Sequence, residues 1–215
     1  MPRVLTRDIA PSDSPIVEGA ARATLDGILD AGVTLAVWIR RAPPGLAAWL
    51  DALPPECLPD GRFVCEPEKV TARLAVLCDK AGLGHGRARA LLIADIANLA
   101  ARFARIAAVR RVDLRLEALD HDSCWRFHRD RVGLRLNATY RGPGTQWPPL
   151  ELAARAARAQ RRYRGEMNDL PRFAVGLFKG ERRAGPAAIL HRSPPIAGSG
   201  ITRLFLCLNE DKNDD

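Results

Sequence analysis

The sequence predicts an α+β fold in a single domain: helical periodicity fills most of the first half, strand periodicity replaces it from Arg110, and 215 residues suit one full core but are short for two. Residues 1–109 form the mainly helical part, with one strand near 33–40. Residues 110–209 form a β-rich part, and 210–215 an acidic tail.

Residues 1 to about 18 read as a loose arm, and Ala20 to Ala31 as a short helix ending at Gly32. Val33 to Arg40 is rich in β-branched and aromatic residues, as a strand requires. Pro43-Pro44 opens and Pro54-Pro55 closes a helix carrying Leu46, Trp49, Leu50 and Leu53 at helical spacing. Pro67 suits the first position of a helix running to about Lys80. A longer helix, Arg87 to about Ala108, repeats Leu92, Ile96, Leu99, Phe103 and Ile106 at steps of three and four. This pair is expected to be scaffold without an ionisable cluster.

Val112 to Glu117 and Val132 to Tyr140 then alternate with period two, the second run ending at the turn Arg141-Gly-Pro-Gly144. That turn reads as a connection, since no GxxxxGK[ST] helix follows it to make a phosphate cradle. Leu150 to Arg164 reads as an Arg/Ala helix, followed by strand candidates at Phe173–Phe178, Ala187–His191 and Thr202–Leu208.

Composition narrows the function classes. No apolar run reaches the roughly 20 residues of a spanning helix, and the first residues lack a signal-peptide core, so no membrane partner is expected and the cytoplasm is the default compartment. Five scattered cysteines without a CxxC pair argue against a disulfide framework or a zinc ribbon; four read as buried small hydrophobes and Cys124 stands apart. The net charge of +8 comes almost wholly from arginine and admits an anionic substrate, an acidic protein or nucleic acid as partner, while GC-rich coding and the acidic tail offset the last. Arg155, Arg158, Arg161, Arg162 and Arg164 cover one broad helix face, which reads as a solvated surface or as a dock for an acidic partner.

Three of the four histidines, His121, His128 and His191, fall in the strand-rich half. His128 and Asp130 are two apart, so an extended backbone turns both side chains to one face, where they can chelate one ion. His191 is the third candidate ligand. Two imidazoles and one carboxylate are the facial triad of non-haem iron(II), with three coordination positions left open. Arg203 follows a loop short enough to return it beside His191, and its planar fork suits a dicarboxylic cosubstrate. Asn137 and Tyr140 are candidate pocket residues. An alternative set, His121, Cys124 and His128, has steps of three and four that suit zinc on a helix face, and Cys124 near the site would make it redox-sensitive.

His128-x-Asp130, His191 and Arg203, with Gly176 to Gly180 and the run Leu190-His191-Arg-Ser-Pro-Pro, resemble the pattern of iron(II)/2-oxoglutarate-dependent oxygenases. That resemblance implies a cupin-like double-stranded β-helix (jelly-roll) barrel, full or truncated, with the N-terminal helices packed on it. It also implies Fe(II) and 2-oxoglutarate as cofactors. Two or three strands are countable between Asp130 and His191.

The chain is also similar to the bacterial domain of unknown function 1826. The likeness rests on Leu35 to Arg40, Cys124 to Asp130, Thr139 to Trp147, Phe178-Lys-Gly180 and His191 to Pro195, and it implies a metal-handling setting linked to zinc-responsive gene sets. Three function classes follow: an iron(II) oxygenase acting on an unknown small molecule or protein, a non-catalytic Zn(II)-binding or metal-homeostasis protein, and an interaction module for acidic partners.

Overall fold

The computed structural model describes residues 14–211, so the greater part of the expected arm and most of the acidic tail lie outside the described residues. In chain order the elements are β1 (Ile16–Gly19), β2 (Leu35–Trp38), α1 (Leu46–Ala52), β3 (Gly61–Cys65), α2 (Val70–Lys80), α3 (Arg87–Ala107) and β4 (Val112–Leu119). There follow β5 (Leu134–Arg141), β6 (Gln146–Trp147), α4 (Ala153–Ala159), β7 (Asn168–Asp169), β8 (Val175–Lys179), α5 (Glu181–Ala184) and β9 (Arg203–Glu210).

Seven strands join one sheet in the order β1-β2-β8-β5-β9-β4-β3, antiparallel throughout except for the β1–β2 pair. The first half is therefore less helical than its composition suggests: β1, β2 and β3 supply both edges of this sheet. The expected helix at 20–31 is a 3-10 segment, Arg22–Leu29, and the expected helix at 150–164 breaks into a 3-10 turn, α4 and another 3-10 turn.

Alternation along the strands gives the sheet two unlike faces. Leu114, Leu116, Leu136, Ala138, Leu204, Leu206 and Leu208 point toward the helices and merge with Leu74, Leu92, Ile96, Leu99 and Phe103 in the main core. Each buried leucine among them contributes about 1.5–3 kcal/mol. The intervening residues, among them Arg115, Glu117, Arg135, Asn137, Phe205 and Cys207, line a cavity on the opposite face.

Over that second face lies a small sheet. β6 pairs with β7, Gln146 also bridges to Arg192, and His128 bridges to His191. From β4 onward the chain thus crosses repeatedly between the layers, with β6 and β7 consecutive in the small one, and four strands, β5 to β8, separate Asp130 from His191 rather than two or three. The expected strand 187–191 is reduced to the bridging residues His191 and Arg192. Of the cysteines, Cys65, Cys78 and Cys207 are buried, Cys57 is only partly so, and Cys124 is exposed.

The scaffold helices do carry an ionisable cluster, against expectation. Asp95 on α3 accepts two bonds from the Arg40 guanidinium, at 2.5 and 2.8 Å, and one from the Tyr140 hydroxyl at 2.6 Å. Arg40 Nε also donates to the Phe173 carbonyl at 2.7 Å. Burial, followed by the Asp95 charge, pushes the Tyr140 phenol well above its ordinary range. Asp95→Ala should strand both the Arg40 charge and the Tyr140 hydroxyl, lowering unfolding free energy by about 3–5 kcal/mol. Urea denaturation checks this; a loss under about 1 kcal/mol would mean that the cluster is solvated.

Candidate metal centre

His128 sits in an extended segment bonded reciprocally to His191, each N–H reaching the other's carbonyl at 3.0 Å. The neighbouring residue Arg129 turns away, donating to the Ala188 carbonyl, so His128 and Asp130 fall on one side, as their spacing predicts. Gln160 fixes the approach to this segment: its side chain accepts from the Phe127 N–H at 2.9 Å and donates to the Phe127 carbonyl at 3.2 Å. Gln160 holds this position with φ at +50°, a region that non-glycine residues rarely occupy.

The ligand atoms of His128, Asp130 and His191 all lie within 4.8 Å of one another, and the group can hold a metal ion. His128 Nδ1 lies 2.8 Å from the Arg126 carbonyl and His191 Nδ1 lies 3.0 Å from the Ile189 carbonyl. Each Nδ1 therefore carries the proton, and each Nε2 presents a lone pair, the form in which imidazole binds metal. Those lone pairs face Asp130: His128 Nε2 is 3.5 Å from Oδ1, and His191 Nε2 is 3.3 Å from Oδ2.

With both imidazoles neutral, three acceptors converge with no proton between them, whereas protonation of His128 gives Asp130 Oδ1 a donor. Asp130 Oδ1 is partly compensated by Arg135 Nη1, with the guanidinium oriented by a bond from Nε to Asn209 Oδ1 at 2.7 Å, but the buried Oδ2 has no hydrogen-bond donor. Burial alone would raise the Asp130 pKa; His128, His191 and Arg135 outweigh it and hold the carboxyl far below the usual carboxylate range. A cation among the three groups would remove the repulsion and accept the unused lone pair of Oδ2. His191 and Asp130 are buried, whereas the His128 side chain is 32% exposed and forms the accessible side.

The other sequence candidates divide. Asn137 lines the cavity and its buried Oδ1 has no partner. Arg203, 1% exposed, lies over the Phe205 ring and donates from Nε to the Pro143 carbonyl at 2.7 Å, while Nη2 is buried without a partner. Burial lowers its pKa to about 10, against the pull of Glu117 and Cys124. The Gly-Pro-Gly turn is thus a support for Arg203: Gly142 takes φ +77°, and a Cβ there would meet Arg203 Cγ at 2.8 Å.

Tyr140 is a correction: it points to the helix side and bonds Asp95, since a step of three positions along the strand from Asn137 reverses its face. His121 is another, because its exposed ring pairs with Asp120 at 3.1 Å and does not join the ligand group. Cys124 borders the cavity but is likewise outside that group. Arg135, Asn209 and Gln160 are not singled out by the sequence. The polar positions of β5 and β9 could indicate the first two; nothing local marks Gln160.

Residues 19–209 match the family described as "Protein of unknown function (DUF1826)". No curated protein matches the chain. Among solved structures, the Kdo hydroxylase KdoO, a non-heme Fe(II) alphaketoglutarate dependent dioxygenase in complex with succinate and Fe(III), is similar at 14% identity and a TM-score of 0.43, covering 92% of this chain and 89% of that one. A Pseudomonas putida prolyl-4-hydroxylase is similar at 15% identity and a TM-score of 0.34 over 80% of this chain and 97% of that one. A C-terminal truncated protein from Neurospora crassa gives 13% identity and a TM-score of 0.39 over 87% of this chain and 85% of that one. No helix among the described residues is long and apolar enough to cross a membrane.

Protons and metal compete for this group, which fixes the sign of a pH dependence. Burial opposes charging of His128, but the Asp130 bond and the Arg126 carbonyl prevail and raise its pKa. In the metal-free protein this stabilisation is complete below the unfolded histidine value of about 6.5 and is lost as pH rises through the raised folded value. Metal binding must displace that proton, so affinity should strengthen with pH across the same window, with protons released. Calorimetric metal titrations in buffers of different ionisation enthalpy measure the release. A pH-independent affinity would remove His128 from the ligand set.

Proposed function

The chain belongs to the DUF1826 family, and we propose that it is a mononuclear non-haem iron(II) oxygenase of the 2-oxoglutarate-dependent type. The observation that carries this reading is the convergence of two imidazole lone pairs and one carboxylate, with Asp130 Oδ2 buried and undonated. Two histidines and one carboxylate suit ferrous iron and leave three positions for exogenous ligands, whereas a structural zinc site would close with a fourth protein ligand.

The alternation of segments between the layers supports a double-stranded β-helix. β4, the His128 segment, β5, β6, β7, β8, the His191 segment and β9 supply eight positions in the sequence large, small, large, small, small, large, small, large. Strands from both halves of the chain share the large sheet, which favours one domain.

In this reading His128, Asp130 and His191 hold the iron, and Arg203 receives a carboxylate of 2-oxoglutarate. The unpartnered Nη2 supports that role, because a buried guanidinium with an idle donor gains most from an anion. Bound iron with 2-oxoglutarate and dioxygen would supply the oxidising power for the substrate. The protein's own part is positioning: Arg135 orients Asp130, the Pro143 carbonyl aims Arg203, Asn137 offers an uncommitted amide to the cavity, and Phe205 limits water on one wall.

Anaerobic loading with ferrous iron and titration with 2-oxoglutarate should produce a visible metal-to-ligand absorption band. Arg203→Gln should weaken 2-oxoglutarate binding about 10- to 100-fold, the loss of one charged hydrogen bond, with iron uptake retained. A zinc-filled site that gives no band with 2-oxoglutarate sinks the oxygenase reading and favours metal storage.

A further inference from the structure

A second concavity adjoins the metal cavity, lined by Asp122, Trp125, Arg161, Arg164, Arg192 and Pro195. Its charges are unequally compensated. Asp122 is fully committed: Oδ1 accepts the Ile196 and Ala197 N–H groups, both at 2.9 Å, and Oδ2 takes Arg161 at 3.1 Å. Arg161 in turn lies on the Trp125 ring, 4.1 Å from its centroid. Asp122, Arg161 and Trp125 are thereby a finished structural unit.

Arg164 and Arg192 are not. Arg164, which is exposed, spends Nη1 on the carbonyls of Arg161 and Tyr163, at 2.7 and 2.9 Å, and its remaining donors have no partner among the described residues. Arg192 is set over the Phe127 ring at 4.5 Å and donates only from Nε, to Gln146 Oε1 at 3.2 Å, so both its terminal amino groups are uncommitted. Among the described residues neither arginine has a carboxylate within ion-pair distance. Asp169, whose charge reaches Arg192, is instead bonded to Gln146 Nε2 at 2.8 Å.

Arg192 also lines the metal cavity, and it follows His191 directly. One guanidinium therefore belongs to both spaces, and the backbone that fixes His191 fixes Arg192 through the Gln146 bridge. We propose that this outer cleft is the substrate-anchoring subsite, in which Arg164 and Arg192 hold an oxyanion of the substrate, a phosphate or a carboxylate, while the rest of the molecule extends past Arg192 to the metal. The proposal rests on the oxygenase reading for the word substrate, but the anion site itself rests on the two idle guanidinium groups. Two such forks facing one cleft suit an oxyanion with several lone pairs.

The test is calorimetric titration of the full chain with inorganic phosphate and, separately, acetate, each repeated with 2-oxoglutarate at saturation. The cleft should bind one of these anions with 2-oxoglutarate present, and Arg164→Gln and Arg192→Gln should each weaken it by about 10-fold or more. Arg155→Gln and Arg158→Gln, on the exposed surface of α4, should leave it unchanged. Preference for phosphate assigns a phosphate ester, and preference for acetate a carboxylate; either supports the subsite. Overturning results are no binding of either anion, equal weakening by the α4 controls, or abolition by 2-oxoglutarate, which would place the anion at Arg203. Intact anion binding in a protein that gives no iron and 2-oxoglutarate band overturns the oxygenase reading alone, and the reverse pattern overturns the cleft alone.

Discussion

The constraint on which the rest depends is the antiparallel bridge between His128 and His191. It joins two points more than sixty residues apart through a pair of backbone bonds, and it does so at a place where neither segment is part of a longer strand. Both histidines then use the same local device, Nδ1 to the carbonyl two residues back. That device fixes one tautomer in each ring and turns both Nε2 atoms inward, so the backbone itself selects the electron-rich face. Bringing a carboxylate against two such faces in a buried place is unfavourable unless a cation or proton intervenes. The surrounding structure reads as the means of tolerating that concentration: Arg135 on one carboxylate oxygen, Asn209 behind Arg135, and Gln160 holding the chain just ahead of His128.

The two-faced large sheet is the second element of this design. Its helix side is a continuous apolar layer that includes Leu114, Leu136, Leu206 and α3, and supplies the burial that stabilises the fold. Its other side carries charged and amide groups at the alternate positions of the same strands. A strand such as β5 can serve both layers because a single residue step reverses the side chain. Polar groups on the inner side are acceptable only as a connected set, and three of the buried atoms still lacking hydrogen-bond partners, Asp130 Oδ2, Asn137 Oδ1 and Arg203 Nη2, belong to residues on the site side.

How much is legible in the sequence follows the length of each signal. β4, β5 and β9 are eight residues each and announce themselves by period two, and the His128-x-Asp130 spacing is enough to place both side chains on one side. β6 and β7 are two residues each, held by partners far along the chain, and no periodicity exists in so short a run. Their invisibility is why a strand count from the sequence between Asp130 and His191 comes out low. β1 and β3 escape a sequence reading for a related reason: they are edge strands only partly buried, so their composition lacks the apolar run of a central strand. Placing Tyr140 beside Asn137 conflicts with strand parity, since positions of unlike parity cannot share a face of an uninterrupted strand; the irregularity between Thr139 and Arg141 falls at Tyr140, whose side chain nevertheless stays on the helix side with Asp95.

The arginine excess also takes a different meaning once the side chains are placed. Arg40, Arg102 and Arg135 are largely buried ion-pair partners of Asp95, Asp26 and Asp130, and the Arg89 side chain lies buried among carbonyls and beside Asp79. Arg203 is buried against a carbonyl and an aromatic ring. Guanidinium suits such positions better than an ammonium, because it is weakly hydrated and its several donors can be satisfied in a fixed plane. A formal charge of +8 therefore describes a molecule that spends much of its arginine inside, tying helices to the sheet and compensating an acidic centre. What remains outside is scattered over several elements, with Arg22, Arg62, Arg73, Arg87, Arg105, Arg131 and Arg182 all exposed, and its densest run is the segment from Arg155 to Arg164 beside the outer cleft. Charge in that run acts at short range on a ligand that has reached the cleft, through Arg161 and Arg164 on its wall.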